Sequence, residues 1–149
     1  MENSLLPWMG KAKKVLDQFI CDQLQENGIE LTKVQWVMLK KLKEVDGQPQ
    51  HNLAFLTNRD KASLARLITT MEKKNLVARI PSKSDHRINH IYLTKNGDDI
   101  LKKSIPVMED IIDHIQKGIP PTEIDTVIKT MKKIIENINK EELVAQITK

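Results

Sequence analysis

The sequence predicts a mainly α-helical protein that carries one small β-hairpin. Long stretches near both ends of the chain repeat apolar residues at spacings of three and four, which is the pattern of amphipathic helices. Between them, two short strand-like stretches flank a turn rich in serine, lysine and aspartate, as in a hairpin. The 149 residues suit a single domain, and because only 3% are aromatic, aliphatic side chains must form most of its core.

Two helices are predicted in the first third of the chain. The first runs from Leu5 to about Asn27-Gly28, a pair that favours the end of a helix. The second follows Thr32, whose hydroxyl can cap the helix while Gln35 returns a hydrogen bond to the Thr32 backbone. This second helix is expected to close near residues 45–47.

A helix-turn-helix is predicted over residues 52–74. A short helical segment at 52–56 is interrupted at Thr57-Asn58 and followed at once by a longer helix at 60–74. Two helices joined by so short a turn are a helix-turn-helix candidate. At 100° per residue, the longer helix has an apolar face and a polar, basic face. The apolar face comprises Leu64, Leu67, Ile68 and Met71, and the opposite face comprises Ala62, Arg66, Thr69 and Lys73.

The hairpin follows this helix directly. Asn75 tolerates the left-handed conformation that ends a helix, and residues 76–80 then form a strand that Pro81 terminates. Residues 82–85 supply turn chemistry, and residues 88–93 return as the second strand. The result is a hairpin with a basic tip.

The helices at the two ends of the chain are predicted to form a homodimer. Thr94 caps a helix that ends at Gly118, and a last helix follows with a narrow apolar stripe rich in isoleucine. The three terminal helices carry more apolar surface than the central region can cover, and large exposed apolar patches are rare in monomers. We therefore expect dimerisation helices at residues 1–30 and 98–149, around a central region at 31–97.

The order of these elements is that of a winged helix-turn-helix, which favours binding to double-stranded DNA. Residues 59–95 contain nine basic and three acidic residues, a net charge of +6, which leaves −2 for the rest of the chain. A basic excess confined to one segment is typical of a phosphate-binding surface. A helix fits the major groove of DNA, and the hairpin reaches the neighbouring backbone or minor groove.

Ten residues are predicted to contact DNA or to orient a residue that does. Arg66 can bind guanine in bidentate fashion or bind a phosphate, and Lys61 and Lys73 are placed for phosphates. Arg87 at the hairpin tip is the candidate for the minor groove, and Asp85 can orient it by a charge-assisted hydrogen bond. The full set is Lys61, Ala62, Ser63, Arg66, Thr69, Thr70, Lys73, Lys83, Asp85 and Arg87.

The central segment resembles the MarR family of bacterial transcriptional regulators. The resemblance runs from residue 31 to residue 97, and its most specific part is Asp85-x-Arg87 followed by Leu93-Thr94-x-x-Gly97. Further stretches that carry it are Leu31-Thr32-x-x-Gln35-Trp36, Asp60-Lys61-Ala62-Ser63-Leu64-x-Arg66 and Met71-Glu72-Lys73-Lys74-Asn75-Leu76-Val77-x-Arg79. It implies a homodimer with interlocking end helices that binds a pseudo-palindromic operator, usually represses, and is released by a ligand or an oxidant.

Other functions compete with this interpretation. Cys21 lies late in the first helix, where the resemblance implies that peroxide-sensing relatives place a reactive thiol. A redox-sensing regulator is therefore one alternative, although a buried, inert cysteine is the commoner case. Trp8, Phe19 and Trp36 could line a cleft for a small apolar or phenolic effector, or simply pack in the core. A winged helix that binds a protein partner is a third interpretation, and a steep loss of DNA affinity with salt would separate it from a DNA-binding protein.

An enzyme is not expected. The sequence has no Gly-rich phosphate loop or nucleophile elbow, and its histidines lack metal-ligand spacing, so we predict neither a cofactor nor a metal. No run of about 18 apolar residues and no secretory signal occur, which predicts a protein that does not enter a membrane and stays in the cytoplasm.

Overall fold

The computed structural model describes residues 3–57 and 60–147, with side chains up to residue 140. Its elements are helices and a small antiparallel sheet, in the chain order α1 (Leu5–Glu26), α2 (Lys33–Glu44), β1 (Gln48–Pro49), a 3₁₀ helix (Gln50–Leu56), α3 (Lys61–Lys73), β2 (Val77–Pro81), β3 (Asn89–Leu93), α4 (Lys95–Ile115) and α5 (Pro121–Ile147). The predicted fold class, a mainly helical winged helix-turn-helix, is confirmed.

The capping signals at the first two helices act as predicted. Asn27 caps the end of α1, and Gly28 follows it with a φ of 72°. At the start of α2, the Gln35 backbone N–H donates to Thr32 Oγ1 at 3.2 Å, and the Thr32 backbone N–H donates to Gln35 Oε1 at 3.1 Å. This reciprocal pair satisfies two of the backbone donors that a helix leaves open at its start.

The helix-turn-helix is present, with a tighter first helix than expected. The predicted helical segment at 52–56 is a 3₁₀ helix that begins two residues earlier, at Gln50, and ends at Leu56, with Thr57 as its C-cap. The predicted turn residue Asn58 lies outside the described residues. α3 begins after Asp60, whose carboxylate accepts from the Ala62 backbone N–H at 3.0 Å. Its predicted inner face packs in the core through Leu64, Ile68 and Met71, while Leu67 is half-buried.

The sheet contains one strand more than the sequence predicted. β2 and β3 pair in antiparallel fashion, with Pro81 opposite Asn89 at the tip end. The additional strand β1 pairs with the other edge of β3, so the order in the sheet is β1, β3, β2. A strand of two residues that includes a proline shows no alternation, so the sequence pattern did not reveal it.

α4 starts in close contact with the turn that follows α3. Asn75 adopts the predicted left-handed conformation in that turn, with a φ of 55°. The Thr94 backbone N–H donates to the Leu76 carbonyl at 3.2 Å, and the Gly97 backbone N–H donates to Thr94 Oγ1 at 2.9 Å, as the predicted cap requires. A Cβ atom on Gly97 would lie 2.1 Å from the Leu76 carbonyl oxygen, a distance that no side chain can occupy. Glycine is therefore required at this contact.

We expect Gly97→Ala to destabilise the protein by about 1–3 kcal/mol, the usual cost of forcing an extra carbon into a packed site. Because the neighbouring atom is a backbone oxygen held by Thr94, the structure can relieve the clash only by moving α4. The same change at Gly10, where a Cβ would meet nothing within 4 Å, is the matched control and should be neutral or slightly stabilising. Thermal unfolding at equal protein concentration tests this, and equal effects at both sites would contradict it.

Packing divides the chain into two compact units, Met1–Ile111 and Ile112–Lys149. In the first unit, α1 exposes large apolar side chains, namely Leu5, Leu6, Trp8 and Val15. In the second unit, α5 exposes Val127, Ile128, Ile135 and Ile138.

Among the helices of residues 3–57 and 60–147, none combines the length and apolar character needed to cross a membrane. The functional division at residues 30 and 97 stays a prediction.

Candidate nucleic-acid interface

The outer face of α3 is exposed and basic. The side chains of Arg66 and Lys73 lie on it, and that of Arg66 is 72% exposed, while Lys61 is exposed at the first residue of the helix. Ala62, Thr69 and Thr70 are also exposed, whereas Ser63 is half-buried. The structure thus presents these predicted contact residues to solvent while the opposite face of the same helix packs in the core.

A small hydrogen-bonded group holds the first turn of this face. The Ser63 hydroxyl donates to the Asp60 carboxylate, and Arg66 Nη2 donates to Ser63 Oγ at 3.0 Å. Hydrogen bonds from the Ser63 hydroxyl and the Ala62 backbone N–H lower the pKa of Asp60. Arg66 also lies 3.9 Å from the Asp60 carboxylate, a solvent-exposed pair of small energetic value. Arg66 can therefore exchange these contacts for DNA.

The hydroxyl groups of the two threonines on this face are not free to donate a hydrogen bond to DNA. Thr69 Oγ1 donates to the Ala65 carbonyl at 2.9 Å, and Thr70 Oγ1 donates to the Arg66 carbonyl at 2.9 Å. Each hydroxyl has a single proton, which is used in these bonds. Towards a DNA base, both residues therefore offer a hydrogen-bond acceptor and a methyl group.

The tip of the hairpin carries the predicted pair of Asp85 and Arg87. Arg87 Nε and Nη2 donate to the two Asp85 carboxylate oxygens at 3.0 and 3.1 Å, and the Arg87 backbone N–H also reaches Oδ1 at 3.0 Å. These bonds lower the pKa of Asp85 and raise that of Arg87, so the pair stays charged as the pH falls to the ordinary pKa of aspartate and is lost only below it. The side chain of Arg87 is 91% exposed, and Lys83 is exposed beside it.

A cleft joins the start of α3 to the hairpin. It has a volume of about 290 Å³, and Lys61 of α3 and Arg87 of the hairpin tip both line it, together with residues of the 3₁₀ helix. The predicted helix and hairpin cations therefore belong to one continuous surface. The sequence had placed them on separate elements without indicating that they meet.

Comparison with known proteins agrees with this architecture. The sequence model of the MarR family matches residues 31–88, which hold the helix-turn-helix and most of the hairpin. Residues 31–88 are a MarR-family domain.

Solved structures of MarR-family regulators resemble nearly the whole chain. AbsC, a MarR family transcriptional regulator from Streptomyces coelicolor, is 26% identical, with a TM-score of 0.79 over 93% of this chain and 96% of that one. A SlyA-like transcription regulator from Listeria monocytogenes is 24% identical, with a TM-score of 0.79 over 97% and 95% of the two chains. BpsR from Bordetella bronchiseptica, whose DNA binding is regulated by 6-hydroxynicotinic acid, is 19% identical, with a TM-score of 0.80 over 90% and 94%.

The chain thus contains a MarR-family domain, and it shares its fold with solved MarR-family transcriptional regulators. The proteins that it resembles are regulators of transcription and not enzymes. Within its described residues, no cluster of three or more His, Cys, Asp or Glu is arranged to hold a metal ion.

The aromatic residues predicted for an effector cleft have different surroundings. Trp8 is 65% exposed near the start of α1, and Phe19 is half-buried further along the same helix. Trp36 Nε1 donates to Ser104 Oγ at 2.8 Å, which ties α2 to α4 through a fully buried serine that the sequence pattern had not singled out. Their role in ligand binding stays a prediction.

Cys21 lies on the exposed side of α1 and is not buried. It lines a second cleft, of about 480 Å³, between α1, the start of α2 and the end of the 3₁₀ helix. Lys13 and Lys33 also line this cleft, and both pair with Asp17, at 2.5 and 2.7 Å. The tryptophans and Phe19 are not among its lining residues. Redox sensing through Cys21 stays a prediction.

Proposed function

We propose that this protein is a cytoplasmic homodimeric repressor that binds a pseudo-palindromic DNA operator. The observation that carries the proposal is the continuous cationic surface formed by the outer face of α3 and the hairpin tip. Arg66 projects from α3 with 72% of its side chain exposed, and Lys61 and Arg87 line the cleft that joins the helix to the hairpin tip. Exposed arginine and lysine side chains on a helix and an adjacent hairpin suit major-groove readout combined with contact to the flanking backbone or minor groove.

The roles of the cations follow from their positions. Arg66 lies in the second turn of α3, where a recognition helix meets base edges, and its guanidinium can bind guanine O6 and N7 together. Lys61 and Lys73 lie near the two ends of α3, where phosphates flank the groove. Arg87 extends from the hairpin tip, and Asp85 holds its guanidinium group by two hydrogen bonds.

Dimerisation is proposed from the apolar surface of the terminal helices. α1 and α5 each leave large aliphatic or aromatic side chains exposed, although such groups gain about 1.5–3 kcal/mol each when fully buried. A second copy of the chain can cover them, and a two-fold dimer would present two copies of α3 to successive major grooves. This arrangement matches an operator with two inverted half-sites.

The experiment that tests this function is selection of bound duplexes from random DNA, followed by affinity measurements over a range of salt concentrations. We expect a palindrome whose half-sites lie about one helical turn apart, and a steep fall in affinity as salt rises. Arg66→Ala should lower operator affinity by about 1–3 kcal/mol and relax the preference at one position in each half-site.

Lys103→Ala is the matched control, because it removes an exposed cation on α4, away from the proposed surface. It should leave both the selected sequence and the affinity nearly unchanged. Failure of the native protein to select any sequence, or an affinity indifferent to salt, would contradict the proposal and favour a protein partner.

Release by a small apolar or phenolic effector is the finer part of the proposal. BpsR supplies the precedent, and the 480 Å³ cleft between α1 and α2 has the volume of a small-molecule site. The direct test is to titrate phenolic and aromatic carboxylic compounds into the operator complex. If no compound of this class releases the DNA, this part fails while the DNA-binding function stands.

A further inference from the structure

The side chain of Arg79 connects the hairpin to the outer flank of α3. Arg79 lies on β2, and its Nη2 is 3.0 Å from Thr69 Oγ1, 3.0 Å from Glu72 Oε1 and 3.5 Å from the Ala65 carbonyl oxygen. All three oxygens belong to α3. The Arg79 side chain is only 23% exposed, in contrast to Arg66 and Arg87. Arg79 therefore connects two elements of the protein, β2 and α3, instead of projecting into solvent.

The charge of Arg79 is already matched within the protein. The Glu72 carboxylate forms a salt bridge with Arg79 Nη2 at 3.0 Å, and the two side chains, 23% and 37% exposed, link β2 to α3. A phosphate that approached Arg79 would also approach Glu72, which would repel it. Direct contact between Arg79 and the DNA backbone is therefore disfavoured, although Arg79 is one of the nine basic residues of segment 59–95.

The contact also fixes Thr69, one of the exposed residues of the recognition face. Thr69 Oγ1 donates to the Ala65 carbonyl and accepts from Arg79, so its hydroxyl is held from both sides. The same guanidinium thereby orients a side chain on α3 and holds the strand that leads to the hairpin tip. β2 continues into that tip through Pro81, which pairs with Asn89.

We propose that Arg79 is a positioning residue for operator recognition, which sets the placement of the Arg87 tip relative to α3 without touching DNA. This inference rests on the proposed function. The physical reason is geometric. Arg87 can contact the minor groove or backbone while α3 contacts the bases only if the distance between the helix and the hairpin tip stays fixed. The backbone pairing of β2 with β3 fixes the hairpin itself, and Arg79 adds a side-chain tie between the hairpin and α3.

Glu72→Gln gives the sharpest test. The substitution removes a negative charge close to the DNA-binding surface, so electrostatics alone would tighten DNA binding. If Arg79 acts as a tie, the loss of its charged partner loosens the hairpin, and operator affinity should instead fall by about 3-fold or more. Glu109→Gln, the same change on an exposed position of α4, is the control and should leave affinity nearly unchanged.

A double-mutant cycle gives the second test. Arg79→Lys keeps the charge, but the lysine side chain has a shorter reach and lacks the planar guanidinium group. We expect this variant to bind the operator roughly 10-fold more weakly, while its affinity for random DNA changes by less than about 3-fold. In an Arg87→Ala background the effect of Arg79→Lys should largely disappear, because the side chain that Arg79 positions is already absent.

The outcomes separate the two proposals. Two results would show that Arg79 contacts DNA itself: tighter operator binding by Glu72→Gln, or a double variant whose loss of affinity equals the product of the losses in Arg79→Lys and Arg87→Ala. Either result would overturn the positioning role while the DNA-binding function stands. If the native protein binds no operator, both proposals fail. Circular dichroism and thermal unfolding confirm that each variant is folded before its affinity is compared.

Discussion

Ile135→Glu is expected to convert the protein from a dimer to a monomer and to lower operator affinity by about 100-fold or more. Ile135 lies on α5 with 57% of its surface exposed, on the same face as Ile128, which is 48% exposed. In the proposed dimer both would be buried, and a carboxylate placed there without a partner costs several kcal/mol. A monomer engages only one half-site, so the gain in affinity from linking two sites, about 10²–10⁴-fold, disappears.

Sedimentation velocity measures the change of mass directly, and the operator titration is repeated on the same samples. Asn137→Glu is the matched control, because it adds the same charge on α5 about 200° around the helix from Ile135. It should leave the dimer intact. A native-sized dimer with native operator affinity in the Ile135→Glu protein would exclude this face of α5 from the interface.

Arg87→Ala is expected to lower operator affinity by roughly 30-fold or more. The dimer carries two copies of Arg87, and each arginine of this kind contributes about 1–3 kcal/mol. Because a backbone or minor-groove arginine also displaces counterions, the dependence of log affinity on log salt should become shallower by about 0.9 for each phosphate that the variant no longer neutralises. The rest of the fold should be unaffected, since the Arg87 side chain is almost fully exposed.

Asp85→Asn separates the charge of Arg87 from its orientation. The variant keeps the arginine but weakens the charge-assisted bonds that hold its guanidinium, so we expect a smaller loss of affinity than in Arg87→Ala, with the salt dependence preserved. Fluorescence anisotropy at several salt concentrations resolves both quantities. Equal affinity of native and Arg87→Ala proteins for the selected operator would remove the hairpin tip from the proposed interface.

Much of the helix-turn-helix could be predicted from the sequence because its signals are local. The reciprocal cap of Thr32 and Gln35, the left-handed Asn75 and the Thr94 cap each depend on residues within about one helical turn, and the structure contains all three. The inner and outer faces of α3 follow from the helical period in the same way. The hydrogen bonds between Asp85 and Arg87 were likewise predictable, because the two residues lie within one turn of the chain.

The sequence by itself determined which residues form the long helices and the hairpin, which of their faces are apolar, and which basic side chains are exposed to solvent. Only the tertiary structure decided that β1 joins the sheet, that Gly97 packs against the Leu76 carbonyl, and that Arg79 ties the hairpin to α3. The physical reason is range: caps and periodicity arise from neighbours along the chain, whereas these contacts join residues far enough apart that chain packing alone brings them together.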